Sequence, residues 1–175
     1  SQERCTSNLL HIYETAQEDD AVTLISPKAH IHINGCILDK IDWSTPTDIF
    51  CRIYREGNSP YRLCFIDTPG VNSATAPLHE DITREAILNE SYDCLIYIFK
   101  SPGTNEEIKH LSWLAQNIDK KRIIFVLNKL DNYKICEDDI SQTIQSIKDD
   151  LIKLGFMNPM IYPISAYFGL LLKKK

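Results

Sequence analysis

Three apolar runs in this chain each stop at a polar motif, and this repeated arrangement constrains the fold more than any other feature of the sequence. The runs and their motifs are residues 63–66 with Asp67-Thr68-Pro69-Gly70, residues 123–127 with Asn128-Lys129-Leu130-Asp131, and residues 161–164 with Ser165-Ala166. Short apolar runs bounded by polar or turn residues predict buried strands. Because open α/β sheets bind ligands at the carboxyl ends of their strands, we expect these motifs to mark a ligand site.

Helical periodicity alternates with the strands from residue 61 onward. The clearest helix lies between residues 140 and 154, where apolar residues recur at steps of three and four, and Gly155 is expected to end it. Such alternation predicts parallel strands joined by right-handed crossovers. The predicted fold class is therefore α/β, with three layers and helices on both faces of a mostly parallel sheet.

Two further helices are predicted between the strands. One carries Ile82, Ala86 and Ile87, and the other has an apolar face made of Ile108, Leu111, Leu114 (or Ala115) and Ile118. The continuous apolar run at 94–99 is typical of a parallel strand that is covered on both faces.

Residues 14–60 lack helix-length periodicity but contain short β-like runs, and another strand is expected at 51–54. We therefore predict one partial domain over residues 1–175 with a β-rich insertion at about 14–60. His30 and His32 alternate along one of these strands and so point to the same face. An exposed strand face explains them better than a metal pair, because no third ligand stands at a suitable spacing.

Composition excludes several functional classes. The chain has 175 residues, of which 43% are apolar, and this suits a single domain with a sizeable core. A net charge of −5 argues against a nucleic-acid surface, which needs clustered basic residues. Six cysteines without a C-x-x-C pair indicate a reducing, cytoplasmic compartment. No apolar stretch approaches the roughly 20 residues that a membrane helix needs.

The ordered set Asp-x-x-Gly, Asn-Lys-x-Asp and Ser-Ala resembles three motifs of P-loop GTPases. The resemblance implies binding of GTP or GDP with Mg²⁺. It also implies a nucleotide site made of Asp67, Thr68, Pro69, Gly70, Asn128, Lys129, Asp131, Ser165 and Ala166.

Within this resemblance, Asp131 is the residue that reads the base. One carboxylate can accept two parallel hydrogen bonds from guanine N1–H and N2–H₂, whereas adenine presents no such donor pair. Lys129 would lay its alkyl stem on the purine, and Asn128 would tie its loop to neighbouring backbone. The Ala166 N–H would meet guanine O6, while Ser165 orders the turn.

The resemblance also implies a catalytic set of Thr6, Asp67 and Gly70. Thr6 stands just ahead of an expected strand at 9–13, where a GTPase places the threonine that meets Mg²⁺ and the attacking water. Asp67 would hold Mg²⁺, and the Gly70 N–H would reach a γ-phosphate oxygen. Val71 occupies the position at which Ras-like proteins carry a water-orienting glutamine, so we expect slow intrinsic turnover that rises on self-association.

The run Asp-Thr-Pro-Gly-Val-Asn-Ser at 67–73 and the long interval between Thr6 and Asp67 resemble dynamin-like proteins, particularly bacterial ones related to mitofusins. This implies membrane remodelling driven by GTP-dependent dimerisation through the GTPase face. The membrane-contacting parts would lie outside these residues, and the intact protein would be cytoplasmic or peripheral at a membrane. Two alternatives stay open, an Era-type ribosome-associated GTPase, which carries the same three motifs, and a non-catalytic GTPase-like interaction module.

The chain contains no G-x-x-x-x-G-K-[ST] motif, the phosphate loop of these proteins. In the family this loop follows a first strand in the middle of the sheet, and we expect both to precede Ser1. Residues 1–175 alone are therefore expected to lack activity.

Overall fold

A computed structural model describes residues 8–16, 21–34, 45–53, 59–70, 77–99, 105–133 and 139–173. The chain divides into two compact units, Ser1–Glu90 and Ser91–Lys175. We describe each unit by itself.

The first unit is built on a five-stranded mixed sheet. Its strands are β1 (Leu10–Glu14), β2 (Ala21–Ser26), β3 (Ala29–Asn34), β4 (Thr47–Cys51) and β5 (Cys64–Asp67), in the spatial order β3-β2-β4-β1-β5. Strand β1 runs parallel to β4, and the other neighbouring pairs are antiparallel. One face of the sheet carries a small core of Leu10, Val22, Leu24 and Ile49. Helix α1 (Pro77–Asn89) follows, and its buried residues are Thr83, Ala86 and Ile87.

Two predictions for this unit were wrong in detail. The strand expected at 51–54 ends at Cys51 instead of starting there. Strand β5 does end at Asp67, but it is not buried, since Phe65 is 42% exposed. Among the described residues β5 pairs only with β1, so one of its edges has no strand beside it.

The second unit contains a three-stranded parallel sheet. Its strands are β6 (Leu95–Phe99), β7 (Ile123–Leu127) and β8 (Ile161–Pro163), in that spatial order, and its helices are α2 (Asn105–Asn117), α3 (Ile140–Lys153) and α4 (Ala166–Lys173). The expectation of one mostly parallel sheet needs correction, because the described strands form a mixed sheet and a separate short parallel one.

Among the described residues strand β6 is covered on one face only, which corrects the prediction for residues 94–99. Tyr97 and Phe99 are buried, whereas Ile96 and Ile98 are 48% and 55% exposed. The strand order explains this difference. Right-handed crossovers that run in one direction across a parallel sheet place their helices, here α2 and α3, on the same face.

The buried face of helix α2 includes part of the predicted one and is rotated from it. Leu111 and Leu114 are buried as expected, but Ile108 is 40% exposed, and Glu107 and His110 take buried positions. The His110 ring stacks on Tyr97 of β6 at 6.0 Å between centroids. This contact accompanies the rotation that buries Glu107 and His110 against the sheet. Burial raises the pKa of Tyr97, and the nearby Glu107 carboxylate adds to the rise, so the phenol stays neutral.

Helix α3 ends as the sequence predicts. Gly155 follows its last turn with φ of 89°, a left-handed conformation that favours glycine. The Lys120 ammonium donates to the Gly155 carbonyl at 3.0 Å, and the Asp139 carboxylate caps the other end by accepting from the Gln142 N–H. None of the helices within the described ranges combines the length and apolar character needed to cross a bilayer.

The observed face of α2 can be tested by two truncations. Replacing the fully buried Leu114 with Ala removes core contacts, and we expect the free energy of unfolding to fall by about 2 to 5 kcal/mol. Ile108→Ala on the same helix should cost less than about 1 kcal/mol, since this side chain is partly exposed. Denaturant unfolding of both variants measures the difference. Equal losses would mean that Ile108 belongs to the core, as the periodicity alone predicts.

Candidate functional site

The Asn-Lys-Leu-Asp segment leaves the end of β7 in a conformation fixed by backbone hydrogen bonds. The Asn128 N–H donates to the Phe99 carbonyl at 3.1 Å, which holds the loop against the end of β6. Lys129 adopts a left-handed conformation (φ 64°, ψ 37°), rare for a residue with a side chain, and a 3-10 turn follows over Leu130–Asn132. The Leu130 N–H donates to the Ile164 carbonyl at 3.2 Å. The loop after β7 is thereby attached to the ends of both neighbouring strands.

The side chain of Asn128 joins this loop to the one after β8. Its Oδ1 accepts from the Lys129 N–H at 2.7 Å and from the Ala166 N–H at 3.1 Å. One half-buried amide oxygen therefore sets the distance between the Asn-Lys-Leu-Asp and Ser-Ala segments.

Ser165 makes a second connection between the same two loops. Its hydroxyl donates to Oδ1 of Asp131 and accepts from the Phe168 N–H at 3.1 Å. Because α4 begins at Ala166, Ser165 is also the N-terminal cap of that helix. Asp131 itself is exposed. The bond from Ser165 therefore holds its carboxylate in one orientation at the surface. Such a carboxylate is suited to accept hydrogen bonds from a planar pair of donors.

The Asp-x-x-Gly segment lies in the first unit. Asp67 ends β5, Pro69 is buried, and Gly70 is exposed. The Pro69 carbonyl accepts a hydrogen bond of 2.8 Å from the hydroxyl of Thr83 in α1. The structure thus brings Asn128, Asp131, Ser165 and Ala166 together within one unit, and it places Asp67, Thr68, Pro69 and Gly70 in the other. Thr6 and Val71 lie outside the described residues.

Thr83 contacts the Asp-x-x-Gly segment, and sequence analysis missed it. It occupies the same helix face as Ala86 and Ile87, three and four positions further on, so a polar residue on an otherwise apolar face was the available signal.

Within the described ranges, no group of three or more His, Cys, Asp or Glu side chains is placed to hold a metal ion. His30 and His32 are both exposed, and His32 pairs with the Thr23 hydroxyl at 2.9 Å.

Comparison with known sequences supports a relationship to GTPases. No protein-family model matches the chain. An uncharacterised protein from the xynA 3′ region of Caldicellulosiruptor sp. is 35% identical over 112 residues, which are 62% of this chain and 26% of that protein. A probable FZO-like transmembrane GTPase of chloroplasts from Arabidopsis thaliana is 30% identical over 108 residues, 58% of this chain and 11% of its own length. Elongation factor 1-alpha of Thermococcus onnurineus is 28% identical over 114 residues, 63% and 25% of the two chains. The chain thus spans about a quarter or less of these relatives.

Comparison with solved structures identifies the fold. A chain of an oligomerised bacterial dynamin pair, described as providing a mechanism for the long range sensing and tethering of membranes, matches with a TM-score of 0.57 and 13% identity. The match covers 95% of this chain and 28% of the dynamin chain. The protein therefore has a mixed α/β fold like part of that dynamin chain.

Removing the Asn128 amide tests how the two loops are joined. In Asn128→Ala the Lys129 and Ala166 N–H groups lose their shared acceptor, which should lower the local opening free energy by about 1 kcal/mol. We expect hydrogen exchange at both amides, measured by NMR, to be about fivefold faster. The global free energy of unfolding should not change. Asn132→Ala, in the same loop but exposed, is the matched control. Unaltered exchange at Ala166 would show that Asn128 does not hold the loops together.

Proposed function

We propose that these residues belong to the GTP-binding and GTP-hydrolysing domain of a dynamin-family protein. The observation that carries the proposal is the orientation of Asp131, whose carboxylate is fixed by the Ser165 hydroxyl while Asn128 joins the two loops. The fold resemblance to a bacterial dynamin and the similarity to an FZO-like GTPase favour this family.

Guanine recognition follows from the same geometry. The Asp131 carboxylate accepts the N1–H and N2–H₂ pair of guanine, and adenine leaves it without donors. The alkyl stem of Lys129 would lie on the purine face. The Ala166 N–H, bonded to Asn128 in this structure, is shared with or transferred to guanine O6 when the base binds.

Magnesium fits the residues of the first unit. Mg²⁺ needs only one or two protein carboxylates, because water and nucleotide phosphates complete its shell, and Asp67 supplies an exposed carboxylate at a strand end. Asp67 would hold the ion, together with the hydroxyl of Thr6. When bound, Mg²⁺ neutralises negative charge on the phosphates. The Gly70 N–H donates to the γ-phosphate.

A phosphate loop must come from outside the described residues. Two observations support a place for it at β6. The strand lies at the edge of its sheet among the described residues, and the exposed Ile96 and Ile98 leave one face bare, whereas parallel sheets are normally covered on both sides. We propose that the strand and helix that carry the phosphate loop fill this place.

Water activation without a glutamine after Gly70 requires another group. Val71 has no hydrogen-bonding side chain, so a second copy of the chain, docked through the GTPase face, would complete the site. Membrane remodelling would be carried out by parts of the protein outside residues 1–175, with the domain cytoplasmic or peripheral at the membrane.

Base selectivity tests the proposal in the natural full-length chain. We expect calorimetry to show much tighter binding of GTP and GDP than of ATP. Asp131→Asn replaces an acceptor with a donor that faces the 2-oxo group of xanthine. GTP affinity should fall about 100-fold, and affinity for the xanthosine nucleotide should rise.

Asp149→Asn is the matched control, because it removes a surface carboxylate on α3 and leaves the loops intact. Equal affinities for GTP and ATP in the unaltered protein would defeat the proposal.

Turnover should depend on protein concentration. If a partner copy completes the site, the rate of GTP hydrolysis per molecule will rise steeply with concentration until the dimer saturates. Steady-state phosphate release over a hundredfold concentration range measures this. A rate per molecule that stays constant, with monomer confirmed by light scattering at every concentration, would exclude the partner.

A further inference from the structure

The hydrogen bond between Thr83 and Pro69 connects helix α1 to the segment that ends β5. The Thr83 hydroxyl donates to the Pro69 carbonyl at 2.8 Å, and both side chains are almost fully buried. A buried bond of this kind is costly to break, because the carbonyl then loses a partner away from water.

Because the peptide unit is planar, this bond also fixes the direction of the Gly70 N–H. The Pro69 carbonyl and the Gly70 N–H belong to the same planar unit, and the described chain has no cis peptide bond. In a trans peptide the two groups point in opposite directions. With the carbonyl directed at α1, the Gly70 N–H points away from the helix, and Gly70 is exposed.

The described residues around Gly70 leave room for a side chain. A Cβ at this position would meet no atom of those residues within 4 Å, and the backbone is not left-handed. Packing against the described part of the chain therefore gives no reason for glycine here. Close approach of a ligand to the backbone is a remaining reason to have no side chain.

We propose that Thr83 is a positioning residue that couples occupancy of the γ-phosphate to helix α1. The inference rests on the proposed function and adds a named route for its regulation. The Thr83 hydroxyl holds the Pro69–Gly70 peptide in the orientation in which its N–H donates to the γ-phosphate. When the phosphate is present, the peptide is held from both sides, and α1 is fixed to it. When the phosphate leaves, the Thr83 bond holds the peptide from one side, and the helix is released more easily.

The coupling must act in both directions, because linkage is reciprocal. If GTP binding strengthens the attachment of α1, then loss of that attachment must lower the affinity for GTP. GDP has no γ-phosphate, so its affinity should be independent of Thr83. The ratio of GTP to GDP affinity therefore separates positioning from general destabilisation, which would affect both nucleotides.

The test compares four forms of the natural full-length chain by calorimetry with GDP and a non-hydrolysable GTP analogue. Thr83→Val removes the hydroxyl at constant shape, and we expect the preference for the GTP analogue over GDP to fall about tenfold. Thr83→Ser keeps the hydroxyl and should retain the preference within about twofold. Thr47→Val makes the same change at another buried threonine, whose hydroxyl donates to Thr45, and should lower stability without altering the ratio.

A second measurement needs no variant. In the unaltered protein, hydrogen exchange at the amides of residues 83–87 should be slower with the GTP analogue than with GDP. Identical exchange in the two states would overturn the coupling, even if Thr83→Val failed to fold.

The outcomes distinguish this inference from the proposed function. If the unaltered protein binds GTP no better than ATP, the proposed function fails and the coupling falls with it. If the protein prefers GTP but Thr83→Val keeps the normal ratio of GTP to GDP affinity, the guanine site stands and the role of Thr83 is refuted.

Discussion

The double hydrogen bond accepted by the Asn128 side chain is the interaction on which the candidate base site depends. Its amide oxygen binds the backbone of its own loop and the first residue of α4, so two segments far apart in sequence keep a fixed separation. At that separation the Ser165 hydroxyl also reaches Asp131. Strand ends bring loops to the same edge of a sheet, but they do not orient side chains to the accuracy that base recognition needs. Here that accuracy comes from side-chain oxygens bonded to backbone N–H groups.

In the first unit a side chain also holds the backbone, but here the side chain donates the hydrogen bond and the backbone accepts it. A buried hydroxyl in α1 binds a backbone carbonyl, and the rigidity of one peptide unit carries the constraint to the exposed N–H of Gly70. In both units a polar contact holds an outward-facing group, but only the contact in the first unit is buried, whereas those in the second are half-buried or exposed. Shielding matters because a contact out of reach of water is not exchanged for solvent hydrogen bonds.

The sequence predicts the ends of β5, β7 and α3 well, because those features depend on local residue types such as the left-handed glycine at 155. Prediction from the sequence fails for features that depend on contacts between residues of different elements. The turned face of α2 follows from the contact of His110 with Tyr97, which lies on another element, and no spacing rule within the helix could reveal it. The open face of β6 follows from strand order, which an apolar run does not specify. Thr83 meets its partner fourteen positions away, and only the fold brings them together.

The open edge of β6 has a practical consequence for work with residues 1–175. Ile96 and Ile98 stand beside an edge that carries no neighbouring strand within the described ranges. Edges of this type recruit strands from other molecules, so the isolated polypeptide would be prone to aggregate during expression. Supplying a complementary β-strand, by fusion or by co-expression, would then improve the yield of material for biochemistry more than a change of buffer.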